Sequence, residues 1–361
     1  MKKILLIITI MASMFYVARA RNDKNQSEGE KRQYAVYGVA FYNLENLFDT
    51  INNNGKYDLE FSPQGQRQWN SVKYKSKIKN LARAITSMTT KTTPGGPALL
   101  GVSEIENISV LRDLVREVDA QLTEQGKPTW NLQIVHHDSP DRRGVDVACL
   151  YNPRMFRFLD VTNSTLRIPG YESFRTRDQM CVTGLLGGDT LSVIVNHWPS
   201  RLGGQEQSSY LREAAAQLSK EIADSLWTLR PNQGVIVMGD LNDDPHDKSC
   251  AQVLGAQRKP DNVQPHGFYN PFWEKLDKGI GTLAYKGSWN LFDQIIVSGT
   301  LLVHNNPDAL QYRSSKVNNF EFLRAQEGPS KGGPLRTFSA GVFLNGYSDH
   351  FPTEVFLVKP R

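Results

Sequence analysis

Six short apolar runs in this chain emerge onto the same kind of residue, and this shared grammar constrains the fold more than any other feature. VAFYNLEN delivers Asn43 and Glu45, LLGVSEIEN delivers Glu104 and Glu106, and SVIVNHWPSR delivers Asn196, His197 and Arg201. VIVMGDLNDDP delivers Asp240 and Asn242, WNLFDQIIVS delivers Asp293, and GYSDHFP delivers Asp349 and His350. Runs of this length, rich in Val, Ile, Phe or Tyr and bounded by turn residues, read as buried strands. One acid at a strand end is an ordinary turn former or helix cap. Six such ends in one chain point elsewhere, because strand ends are where a rigid scaffold presents functional groups.

The same pattern predicts strands at Tyr34–Tyr42, Ala98–Ser103, Trp130–His136, Val145–Tyr151, Leu191–Asn196, Val235–Met238, Phe292–Val297 and Thr353–Val358. Three- and four-residue apolar spacing predicts helices at Lys75–Met88, Val110–Leu122 and Tyr210–Leu229. Strands outnumber helices and several neighbouring strands have no helix between them. The fold class is therefore α/β with mixed, partly antiparallel sheets, not a purely parallel sheet.

The N-terminus reads as a separate object. Residues 1–20 combine a basic start (Lys2, Lys3), an apolar stretch from Ile4 to Val17 and an Ala18-Arg19-Ala20 cleavage pattern, the layout of a secretory signal peptide. Residues 21–33 are polar and read as a flexible tether, and 34–361 as a single catalytic domain. The expected location is extracytoplasmic, periplasmic or secreted, after cleavage near Ala20, with no stable membrane insertion and no obligate protein partner. The signal carries three of the 42 basic residues and none of the 37 acidic ones, which leaves a mature charge of +2. A chain that grips nucleic acid through overall charge is usually far more basic. Three cysteines, Cys149, Cys181 and Cys250, make no disulfide framework and no C-x-x-C zinc site. They read as small buried hydrophobes with at most one bridge.

An all-oxygen cluster of Asn, Asp and Glu suits a hard cation, magnesium or manganese, better than zinc. His136 and His137 are adjacent on a strand and so point to opposite faces. The Asn-rich stretch between Asp49 and Glu60 places Gly55 one position late for an EF-hand, and it reads as a solvated turn. The sequence contains no Gly-rich phosphate loop and no G-x-S-x-G nucleophile elbow.

Taken in order, N-x-E, S-E, R-R-G-V-D-V-A, N-H-W-P-S-R, G-D-L-N, F-D-Q-I and S-D-H-F-P resemble the endonuclease/exonuclease/phosphatase superfamily, from about residue 36 to 358. The resemblance implies a four-layer sandwich: two packed mixed, largely antiparallel sheets flanked by helices, with the site at one edge. It implies Glu104 as the principal metal ligand, with Asn43, Glu45 and Asp349 near the ion. Asp240 and Asn242 match the pair handling water and phosphate, His350 the phosphate-contacting histidine and Asp293 its orienting carboxylate. His197 matches a further phosphate-contacting position. Arg143, Arg175, Arg177 and Arg201 lie beside the motifs, where the guanidinium fork suits phosphate.

The expected function is an exported, metal-dependent phosphoesterase, foremost a nuclease acting on DNA or RNA. G-D-L-N-D-D-P lacks the aromatic-Arg ending expected of inositol phosphatases. A phosphatase or phospholipase C-type enzyme acting on inositol phosphates or sphingomyelin is the alternative within enzymes, and a catalytically dead exported binding protein the alternative outside them. Trp198, Trp289 and Phe292 stand beside the motifs as candidate stacking surfaces.

Overall fold

The computed structural model describes residues 33–51, 59–285, 287–305, 307–328 and 330–361. The signal segment, nearly all of the tether and most of the Asn-rich stretch after Asp49 lie outside the described residues. Val36–Lys359 form one compact unit. Of the described residues outside it, the Arg361 amide donates to the Gln33 carbonyl.

The strands are β1 (Tyr34–Leu47), β2 (Pro97–Ile105), β3 (Gln133–His136), β4 (Asp146–Tyr151), β5 (Phe156–Ser164), β6 (Gln179–Leu186), β7 (Asp189–His197) and β8 (Gly234–Asp240). They continue with β9 (Ala256–Gln257), β10 (Phe268–Tyr269), β11 (Leu283–Tyr285), β12 (Ser288–Asn290), β13 (Asp293–Ser298), β14 (Gln311–Val317), β15 (Phe338–Ser339), β16 (Val342–Phe343) and β17 (Thr353–Pro360). One sheet has six strands in the order β14-β17-β1-β2-β4-β3, and the other has seven in the order β5-β6-β7-β8-β13-β10-β9. β1–β2, β7–β8 and β9–β10 are parallel pairs among antiparallel neighbours, so both sheets are mixed and largely antiparallel.

Period-two burial assembles the layers. Val39 and Phe41 of β1 pack with Val193 and Val195 of β7 and Ile236 and Met238 of β8 in one core between the sheets. The alternate residues Ala40 and Tyr42 face two helices, α1 (Ser71–Thr86) and α2 (Ile108–Glu124), through Leu81, Ile85, Leu111 and Leu114. On the second sheet, Ile194, Val235 and Val237 face α3 (Gln205–Leu229) through Ala215, Ala216 and Trp227. The result is helix, sheet, sheet, helix, the four layers the motifs implied. Asn70 and Asn107 fix where α1 and α2 begin, each side chain accepting two backbone N–H groups of the first turn.

All three cysteines are free and buried. Burial pushes the Cys149 thiol up to about 12 and the Cys181 thiol to about 11, and raises Cys250 as well. A thiolate is the reactive form. The native protein is therefore expected to leave all three thiols unlabelled by a disulfide reagent at pH 8, and the denatured chain to react at each. Fast labelling of the native form would contradict this packing. Among the described residues no helix is long and apolar enough to cross a membrane.

Candidate active site

Strand register puts the polar ends side by side. His197 of β7 lies beside Asp240 of β8, and Asp293 of β13 lies opposite the same Asp240. On the other sheet Asn43 of β1 pairs with Ser103 of β2, one residue before Glu104. The Asn43 side-chain amide donates to Asp240 Oδ2 at 3.0 Å, which ties the two sheets together at this edge.

The local backbone is unusual where these groups emerge. Glu45, Asn46, Glu104 and Asn242 all take positive φ, between 49° and 59°. Conformations of this kind cost on the order of 1–3 kcal/mol each for a non-glycine residue and persist only where the surroundings over-determine them. Gly239, at φ 155°, serves a different need: a Cβ there would lie 2.1 Å from the Asn196 carbonyl oxygen. Only glycine lets β8 pass that close to β7 and deliver Asp240 beside His197.

Three groups form the tightest set. Asp240, Asp293 and His350 are all buried, and each offers a ligand atom within 4.8 Å of the others. His350 Nδ1 lies 2.6 Å from Asp293 Oδ2, while its Nε2 stands 3.9 Å from Asp240 Oδ2 and 3.8 Å from Asp349 Oδ1. The Ser348 hydroxyl donates to the Asn43 carbonyl and accepts the His350 amide, so the S-D-H turn is pinned to β1. Burial opposes a charge on His350, but Asp293 and Asp240 outweigh it and hold its pKa well above the usual histidine value. Burial raises Asp240 to about 6, against the pull of His350. His197, buried and facing Arg177 and Arg143, is held well below the usual value and is neutral.

The second set is a ring of carboxylates, each anchored on one side. Glu104 Oε2 accepts the Asn46 amide, Glu45 Oε2 accepts the Thr337 amide, and Asp349 Oδ2 accepts Arg336 Nη2 at 2.5 Å. Burial and Asp349 raise Glu45 to about 7, against the nearby Lys77. Burial also lowers Lys77, whose ammonium donates to the Thr337 hydroxyl and the Tyr347 carbonyl and stands 3.6 Å from Glu45.

The predicted residues divide clearly. Asn43, Glu45, Glu104, His197, Asp240, Asp293, Asp349 and His350 come together. Asn242 joins them chiefly by its backbone, whose N–H donates to Asp240 Oδ1, while its amide donates to the Trp198 carbonyl. Of the four predicted arginines only Arg143 reaches the cluster, with Nη2 3.6 Å from Glu104 Oε2 and a hydrogen bond to Asn46 Oδ1. Arg177 is buried beneath it, donating to the His197 and Trp198 carbonyls and to Asp141. Arg201 binds the Asn242 carbonyl, Gln205 and Asp247, and Arg175 binds the carbonyls of Glu172 and Phe174. Lys77 and Arg336 are cations of the site that no motif signalled. Among the candidate stacking rings, Trp198 and Phe292 are buried, and Trp289 is partly exposed and lies on Phe351, with ring centroids 6.1 Å apart.

The model of the Endonuclease/Exonuclease/phosphatase family matches residues 38–359. The chain belongs to this family. No curated protein matches it. Among solved structures it is similar to TDP2 from Caenorhabditis elegans, at 15% identity over 89% of this chain and 97% of that one, with a TM-score of 0.51. A humanized Danio rerio TDP2 aligns at 12% identity over 90% and 99% of the chains, TM-score 0.53. Mannosyl-6-phosphatase from Bacteroides thetaiotaomicron aligns at 17% identity over 89% and 99%, TM-score 0.52. These likenesses show the shared fold. Family membership makes the chain a hydrolase acting on phosphoric ester bonds, in a family that depends on a divalent metal.

The donor set fits such an ion. Among the described residues no hydrogen bond reaches Glu104 Oε1, Glu45 Oε1 or Asp349 Oδ1, although the other oxygen of each carboxylate is held by a protein donor. Asp293 Oδ1 is buried and likewise has no hydrogen-bond partner. Anchored carboxylates with one open oxygen are hard ligands for magnesium or manganese, which keep several waters and take only one or two carboxylates.

Proposed function

We propose that this chain is an exported nuclease that hydrolyses phosphodiester bonds with magnesium, manganese being able to substitute. The observation that carries the reading is the convergence of Asp240 and Asp293 from the edge of one sheet with Glu104, Asn43 and His350, the last on the turn before β17, from the edge of the other. Glu104 would hold the ion with Glu45, Asp349 and Asn43 around it. When bound, the ion supplies Lewis-acid polarisation of the phosphoryl oxygen and neutralises developing charge.

The chain's own groups do the rest. Asp240 is held by the Asn43 amide at Oδ2 and the Asn242 backbone at Oδ1. Its pKa of about 6 suits a group that orients an attacking water and takes its proton near neutral pH. His350 donates its Nδ1 proton to Asp293 and stays imidazolium, so Nε2–H presents a charged donor to the phosphate. His197 stays neutral, and Arg143 adds a guanidinium on the same side. Export rests on the Lys2–Ala20 pattern.

A phosphatase or phospholipase C-type reading comes second. The low mature charge favours it, as does the inward engagement of Arg177 and Arg201. The test is a panel with the purified protein: circular DNA, linear DNA, RNA, bis-p-nitrophenyl phosphate, an inositol phosphate and sphingomyelin, each with magnesium, manganese or calcium. Cleavage of DNA or RNA with magnesium or manganese is expected. Turnover confined to the inositol phosphate or the phospholipid would overturn the nuclease reading.

A further inference from the structure

Beside the catalytic cluster lies a cavity of about 810 Å³, lined by the 137–140 segment and the 165–178 loop, within the size range of small-molecule sites. Its lining segments adjoin in sequence residues that reach the cluster. Arg142 and Arg143 are consecutive: Arg142 Nη2 donates to the Ser173 carbonyl on the loop, while Arg143 reaches Glu104. Asp178 lines the cavity and follows Arg177, the residue that holds the His197 and Trp198 carbonyls.

Asp178 is the informative residue. It is only 6% exposed, and its Oδ1 is buried with no hydrogen-bond partner. Its Oδ2 stands 3.9 Å from His137 Nε2, beyond hydrogen-bond distance. A buried carboxylate without donors is costly, and nothing in the catalytic chemistry uses this one. The rest of the lining complements it. Tyr171 is exposed and packs on Phe174 with ring centroids 5.3 Å apart. Arg175 also lines the cavity, its Nη1 bound to loop carbonyls.

Resting on the nuclease reading, we infer that this cavity is a base-recognition subsite that takes a guanine neighbouring the scissile phosphate. A carboxylate can only accept hydrogen bonds, and guanine alone among the common bases places a ring N–H and an amino group side by side on one edge. Uracil and thymine flank their N–H with carbonyls that a carboxylate repels. Adenine and cytosine set a lone pair next to the amino group. The opposite edge of guanine, O6 and N7, is the preferred partner of an arginine fork. Tyr171 and Phe174 supply the aromatic face on which an unstacked base rests.

The test separates this subsite from turnover. Titration of guanosine, uridine and methyl mannoside into the purified protein by calorimetry should show saturable binding of guanosine alone. Asp178→Asn should weaken guanosine by about tenfold or more, the loss of roughly one charge-assisted hydrogen bond. Tyr171→Ala, an exposed position, should weaken it independently of any effect on folding. In oligonucleotide digests, the kcat/KM ratio for cutting beside guanine over cutting beside uracil should collapse towards one in Asp178→Asn. Mannoside binding in place of guanosine, equal binding of all three, or unchanged guanosine affinity in both variants would overturn the assignment. Guanosine binding needs no hydrolysis, so a protein that binds guanosine but leaves polynucleotides intact refutes the nuclease reading and keeps the subsite.

Discussion

His350→Ala is expected to lower kcat by on the order of 10³-fold while leaving the circular dichroism spectrum unchanged, the scale set by removing one positioned proton donor or one charged stabiliser. The expectation follows from the geometry of the pair. Asp293 Oδ2 sits 2.6 Å from His350 Nδ1, which leaves Nε2 as the only nitrogen able to address a substrate. Asp293→Asn should cost a similar amount, about 10²–10⁴-fold, because an amide can present the wrong partner to Nδ1 and no longer favours imidazolium. The pH profile gives a second readout. Asp240, at about 6, sets the acid side, so activity should rise as pH climbs through that region. His350 is held well above the usual value, so activity should fall only at alkaline pH, where the imidazolium is lost. Removing His350 removes a charge that pulls Asp240 down, so the acid limb should move to higher pH and the alkaline limb should disappear. Stability has the same sign: the raised pKa of His350 gives a contribution fully present below the unfolded value of about 6.5 and lost as pH rises through the folded one. Activity of His350→Ala within about threefold of wild type, or an acid limb that moves down, would falsify the assignment.

Much of this arrangement is legible in the sequence because burial leaves a period. The predicted strands around Asn43, Glu104, His197, Asp240 and Asp293 all form, since each is covered on both faces and must be apolar throughout. The strands that escaped are of another kind. Six of the nine residues of β5, Phe156–Ser164, are exposed, namely Arg157–Asp160, Thr162 and Asn163, and β14 reads QYRSSKV. Both stand at sheet edges, where one face meets solvent and apolar alternation is not required. β6, QMCVTGLL, is buried, yet its Gln, Thr and Gly interrupt the apolar run that marks a strand. Its hairpin to β7 turns on Gly187 and Gly188, both at positive φ, a turn signal the sequence does contain. The site shows the same divide. Residues on strands could be ordered by register, but Lys77 comes from the buried side of α1 and Arg336 from a loop. Which carboxylate such a side chain meets is decided by tertiary packing alone. The same holds for Arg177 and Arg201: an arginine beside a motif can face phosphate or brace the motif from behind, and its spacing is identical in both cases.

Glu104→Gln is expected to lower kcat/KM by about 10²–10³-fold, the cost of losing one electrostatic contributor to the transition state, and to weaken magnesium binding measured directly by calorimetry. The residue is placed for this role at a conformational cost, at φ 59°, with Oε2 fixed by the Asn46 amide at 2.9 Å and Oε1 left open. Glutamine keeps the shape and can keep the Asn46 bond, so a loss of metal affinity reports the missing charge and not a collapsed loop. Chelation should act through the same contact: EDTA should stop hydrolysis, and magnesium or manganese should restore it. Proton release supplies an independent check. Glu45 is raised to about 7 and Asp240 to about 6 by burial among other acids. A divalent cation beside them favours their charged forms, so binding at pH 6 to 7 should release protons and affinity should climb with pH across that interval. Glu104→Gln should reduce the affinity at every pH and leave the sign of the dependence intact. Hydrolysis indifferent to EDTA, or magnesium binding equal in wild type and Glu104→Gln, would remove the metal from this carboxylate ring and return the reaction to His350, Asp293 and Asp240 alone.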